Sequence, residues 1–90
     1  MSGYVTTGTV QVLRGLPSNF NTAAPQWQAQ WLADATEQAL HELCAEARKV
    51  RCRPVWGTLR VGPRSLADLG RGTDETLRHY QATVGTEPTP

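Results

Sequence analysis

The chain has 90 residues, a formal charge of +1 and 39% apolar residues, which is enough for one domain and too little for a second. A folded chain of this mass exposes about 5,200 Å² where its extended form exposes about 14,400 Å², so folding alone hides only about 64% and association is expected to supply part of the stability. No window approaches the roughly 18 consecutive apolar residues of a membrane span, residues 1–10 show neither a basic nor an apolar leader region, and Cys44 and Cys52 are too few for a disulfide scaffold; a cytoplasmic protein with free thiols is expected.

Residues 4–13 are rich in Val and Thr, with Val10 and Val12 flanking polar Gln11, and predict a strand. Residues 14–21 gather Gly15, Pro17, Ser18, Asn19 and Asn21, which is loop chemistry. From Pro25 to Arg48 the apolar period becomes helical. Leu32, Ala35, Ala39, Leu43 and Val50 share one side, Leu40 and Ala47 its shoulder, while Gln30, Asp34, Glu37, His41 and Arg48 fall opposite. Asn21 or Thr22 is the expected N-cap, and Pro25 is tolerable only in the first turn.

Residues 50–61 predict a second strand with Val55, Gly57, Leu59 and Val61 on one face and Trp56, Thr58 and Arg60 on the other. Pro54 cannot donate to a ladder, so the 51–54 stretch belongs at a strand start, an edge or a bulge. Residues 62–75, with Gly62, Pro63, Gly70 and Gly72, predict a long loop with at most one helical turn around Ser65 to Leu69. Thr76 to Val84 fits both periods; its Thr, Tyr and Val content and the stop at Gly85 favour a strand. The expected fold is therefore α+β, a βαββ chain in which one long amphipathic helix covers one face of a small, mainly antiparallel sheet. Residues 1–85 form the domain, and 86–90 are expected to be a disordered tail.

Eight Arg against one Lys, with no Ile, suggest a GC-rich genome such as that of an actinobacterium or one of its phages. Charge is unevenly placed. Residues 1–47 are net acidic, and the 48–71 segment carries Arg48, Lys49, Arg51, Arg53, Arg60, Arg64 and Arg71 against Asp68 alone. Arg51 and Arg53 are thus candidates for phosphate contact, with Trp56 available to stack on a base. The near-neutral total and the lack of any nucleic-acid-binding motif argue against nucleic acid as a partner. His41, Cys44, Cys52 and His79 have no metal-site spacing, and no nucleophile–base pair, paired carboxylates or phosphate loop can be assembled, so no metal and no enzyme activity are expected.

Three tryptophans are more informative, because a chain this small cannot fully bury three indoles. Trp27 and Trp31, a helical turn apart, either cap the core against the 14–21 loop or anchor a contact. On the far sheet face, Trp56 is expected beside Gln11, Thr58, Arg60, His79 and Gln81. That face would suit a planar ligand or another subunit.

The element order and the sequence His79-Tyr80-Gln81-Ala82-Thr83 resemble the dodecins, small flavin-binding proteins that assemble as hollow dodecamers, whose last strand commonly reads His-aromatic-Gln-Val-Thr. Val55-Trp56-Gly57-Thr58-Leu59 is similar to the family's Ile-Arg-Gly-x-Ile, and Val10-Gln11-Val12 followed by Pro17 to its first strand and turn. The resemblance implies flavin as a ligand and Gln81 as the residue that hydrogen-bonds the isoalloxazine ring; the family's flavin-stacking Trp stands as Lys49 here. From the residues themselves, the favoured expectation is a non-enzymatic interaction module without a cofactor. It would associate with itself as a homo-oligomer or with a larger protein assembly, with Trp27, Trp31, Trp56 and Arg60 at the interface.

Overall fold

Helix α1 spans Pro25–Lys49, preceded by strand β1 (Gly8–Gly15) and a 3-10 turn (Phe20–Thr22), and followed by β2 (Cys52–Ser65) and β3 (Leu77–Pro88). The computed structural model describes residues 6–89. The sheet order is β1-β3-β2 with both pairings antiparallel, so the last strand lies in the middle and the helix covers one face. This is the expected α+β chain.

Pro25 opens α1 where its missing donor is harmless, but Ala24, in extended conformation, is the N-cap and offers no side-chain bond. The expected caps are engaged elsewhere. Thr22 Oγ1 donates to the Asn19 carbonyl at 3.2 Å and Asn21 Nδ2 to that of Leu77 at 2.8 Å, so both residues tie the 3-10 turn down. At the other end Arg48 and Lys49 sit favourably on the negative end of the helix dipole. Val50 then breaks from the expected apolar face: it follows the last helical turn and is 58% exposed. Arg51 reverses the chain in the left-handed region at φ 57°, unusual for a residue with a Cβ.

The core forms where Ala35, Ala39 and Leu43 of α1 meet Tyr80, Ala82 and Val84 of β3, with Val10, Val12, Leu16, Trp31, Leu32 and Leu59 at its margin. Small alanines let the helix lie close on the middle strand. Tyr80 is fully buried, and its hydroxyl lies 2.9 Å from Thr36 Oγ1. Since Thr36 spends its one proton on the Leu32 carbonyl at 2.8 Å, the tyrosine is the donor. Phe20 closes one end of the core, its ring 5.9 Å from Trp31 and 6.4 Å from Trp27, and Trp31 continues edge-on to Tyr80 at 6.1 Å.

Several expected boundaries move. Strand β1 reaches Gly15, because Arg14 and Gly15 pair with Tyr80 and His79 rather than joining the loop; Tyr4 and Val5 lie outside the described residues. Strand β2 runs through Gly62 and Pro63 to Ser65, which shortens the expected loop. That loop opens with a reciprocal cap, Ser65 N–H to Asp68 Oδ2 and Asp68 N–H to Ser65 Oγ, which forms the single helical turn anticipated around Ser65 to Leu69. Gly70 at φ 69° closes the turn, with the Arg71 N–H bonded to the Leu66 carbonyl. The expected tail is strand as far as Pro88: Thr86, only 2% exposed, pairs with Gly8 on one side and Pro54 on the other, and the middle strand must match the length of both neighbours. No helix of the described residues is long and apolar enough to cross a membrane.

Candidate association surface

In an antiparallel ladder directly opposed residues share a face and alternate residues share an edge, so the register assigns most side chains and backbone groups. Tyr80, Ala82 and Val84 face the helix; His79, Gln81 and Thr83 therefore face away, together with Gln11 and Leu13 of β1 and Arg60 and Arg64 of β2. Three of these form a row across the sheet: Arg64 Nε donates to Gln81 Oε1 at 3.4 Å, and Gln81 Nε2 donates to Gln11 Oε1 at 3.3 Å. Both ends of the Gln81 amide are thereby occupied. His79 Nδ1 is buried without a hydrogen-bond partner among the described residues.

Strand β2 departs from the alternation expected of it. Its register shifts between Val55 and Arg60, so that Trp56 to Leu59 bulge out opposite Val84 alone. Val55 opposes Gly85 and thus lies on the face away from the helix, whereas Leu59 packs against the core and Val61 opposes Ala82. The single face expected for Val55, Leu59 and Val61 is broken. The ladder no longer assigns Trp56 to the far face, although the residue is 45% exposed. The bulge is closed by one hydroxyl: Thr58 Oγ1 accepts from the Gly85 N–H and donates to the Val55 carbonyl, each at 2.7 Å. Gly85 has no room for a side chain there, since a Cβ would stand 2.5 Å from Thr6 Cγ2 and 3.0 Å from Thr58 Oγ1. Beside the hydroxyl, Gly57, Thr58, Leu59 and Arg60 line an open depression of about 330 Å³.

Trp56 and Gln81 are not neighbours in the ladder: the bulge lies at the level of Val84, about 10 Å along β3 from Gln81. Trp31 spends its surroundings on Phe20 and Tyr80, as a cap on the core, while Trp27 is 40% exposed beside it. Arg53 is paired with Glu87 at 2.6 Å, and the Arg51 backbone carbonyl accepts from the N–H and hydroxyl of Thr89. Arg60 is exposed and makes no ion pair among the described residues. The carboxyls with lowered pKa owe it to local loop bonds, Asp68 to Ser65 and Asp74 first to the Thr76 N–H. No group of three His, Cys, Asp or Glu gathers as a metal site among the described residues.

The two edges of the sheet differ in a way the sequence did not announce. The Leu16 N–H donates to the Arg78 carbonyl in continuation of the β1–β3 register, so even-numbered residues of β1 turn their backbone inward, and Thr9, Gln11, Leu13 and Gly15 turn theirs outward. By the same alternation odd-numbered residues of β3 serve β2, as the Gly85 N–H does, which turns Pro54 and Pro63 outward on the other edge. Proline without an N–H, a bulge and flanking arginines are the usual means of blunting an edge. Strand β1 has none of them, and its one charge, Arg14, is folded over the helix onto Gln38 and Glu42.

Comparison with protein-family models, with curated proteins and with solved structures finds no match to this chain.

Proposed function

We propose that the protein is a non-enzymatic association module that works as a homo-oligomer. One observation carries this: the large apolar residues Trp27, Val50, Trp56 and Val61 stand 40% to 58% exposed, outside the core that the helix and sheet build. Of the buried apolar side chains, Ala35, Ala39, Ala47 and Ala82 are small, while Trp27, Trp56 and Val61 remain substantially exposed. Apolar surface left outside is recovered when a second copy covers it.

Size-exclusion chromatography with light scattering tests the proposal directly. The expected mass is a multiple of the 9.9 kDa chain, with a melting temperature that rises with protein concentration. A monomer at tens of micromolar with a concentration-independent melting temperature refutes it.

A further inference from the structure

We infer that β1 is the pairing edge: it joins the β1 of a second copy, antiparallel across a two-fold axis perpendicular to the sheet, to make one continuous six-stranded sheet with both helices on the same side. The inference rests on the association proposed above and names its surface. Three observations select this edge. Thr9, Gln11, Leu13 and Gly15 present outward N–H and carbonyl groups that nothing pairs among the described residues. The opposite edge is blunted by Pro54, Pro63 and the bulge. The strand's single charge, Arg14, is held over the helix by Gln38 and Glu42 and so is kept away from the edge.

The parity of outward groups also fixes the register. An outward residue must oppose an outward residue; centring on Val12 pairs all four outward residues of β1, whereas centring on Gln11 or on Leu13 pairs three. Centred on Gln11, Gly15 would oppose the partner's Thr7, whose amide is already turned inward to the Thr86 carbonyl at 2.9 Å if the copies are alike. Centred on Val12, Thr9 opposes the partner's Gly15 and Gln11 opposes the partner's Leu13, giving about eight inter-chain hydrogen bonds. Val12 then meets the partner's Val12 on the helix side, where Val12 already borders the core, so the two apolar layers become continuous. Arg14 opposes the partner's Val10, and no like charges face each other.

Three variants and one measurement on the unaltered protein test this. Gln11→Pro removes an outward donor and, on the β3 side, only the side-chain bond from Gln81, leaving the β1–β3 backbone ladder intact, and is expected to halve the mass while the far-ultraviolet circular dichroism persists. Gln11→Lys combined with Leu13→Lys sets like charges opposite one another across the axis and is expected to weaken dimerisation at least 10-fold. Gln11→Lys combined with Leu13→Glu sets opposite charges there and is expected to restore the wild-type mass. In the unaltered protein the amides of Thr9, Gln11, Leu13 and Gly15 should exchange more slowly as concentration rises, a readout that survives any folding defect in the variants. An oligomer in which those amides exchange freely, or one dissociated by Trp56→Ser but by none of the β1 changes, overturns the edge assignment and leaves self-association standing. A monomeric wild type overturns both.

Discussion

The hydroxyl of Thr58 does the work of a missing stretch of ladder, and replacing it measures how much the bulge depends on it. Thr58→Val keeps shape and volume but removes the acceptor of the Gly85 N–H and the donor to the Val55 carbonyl, both at 2.7 Å. Gly85 is buried, so its N–H loses its partner with little access to water, which costs about 1–3 kcal/mol; the Val55 carbonyl, half-buried, adds up to about 1 kcal/mol. The expected loss is about 2–3 kcal/mol. At a urea dependence of about 1 kcal/mol/M the denaturation midpoint falls by about 2–3 M at fixed protein concentration. Thr58→Ser keeps the hydroxyl and should fall within about 1 kcal/mol of wild type, while amide exchange at Gly85 accelerates in the valine variant alone. A valine variant as stable as the serine one, with Gly85 still protected, would show that the bulge is held by packing at Leu59 instead.

Two further perturbations follow from the core and the loop. Thr36→Val strands the buried Tyr80 hydroxyl and should cost about 1–3 kcal/mol, more than Tyr80→Phe at about 1 kcal/mol, with the double variant less destabilised than Thr36→Val alone; urea melts of the three give the order. Asp74 accepts from the Thr76 N–H at 2.9 Å and from Arg78 Nε at 2.8 Å, which lowers its pKa from 3.8 to about 2. A carboxylate whose folded pKa is lowered stabilises fully above its unfolded value, and that contribution fades as pH falls from about 4 through about 2. The difference in melting temperature between wild type and Asp74→Asn should be present at about pH 6 and vanish below about pH 2.

Periodicity made the helix and its buried face legible, because Ala35, Ala39 and Leu43 recur at helical spacing and nothing in the 25–49 stretch competes with that signal. Tyr80, Ala82 and Val84, the sheet's half of the core, alternate in period two, but a helical period competes over Thr76 to Val84, and only the Thr, Tyr and Val content and the stop at Gly85 decide for the strand. What failed was register. A strand read as unbroken alternation across Val55 to Val61 puts those residues on one face, whereas the bulge flips that parity. The one cue was Thr58, a side chain able to replace a backbone partner, and nothing in a single sequence distinguishes that threonine from an ordinary strand residue. The segment after Gly85 was misread because two prolines suggest a tail. Pro88 in fact ends the strand opposite Cys52, and the middle strand must be long enough to serve both neighbours.

The same residues that blurred the sequence explain why the two edges are unequal. Pro54, Pro63 and the bulge each remove or displace outward donors from β2, and each also disturbs the alternation by which a strand is recognised. Strand β1 contains no such interruption from Thr9 to Arg14, so its outward residues keep the regular two-residue spacing of a ladder. Solitary edges in small proteins are ordinarily defended, since an open one invites promiscuous pairing. Two prolines on one edge and an unbroken strand on the other would direct the proposed association to a single side. In the proposed dimer the two copies expose only their blunted edges, so growth would stop there rather than continue into a fibre.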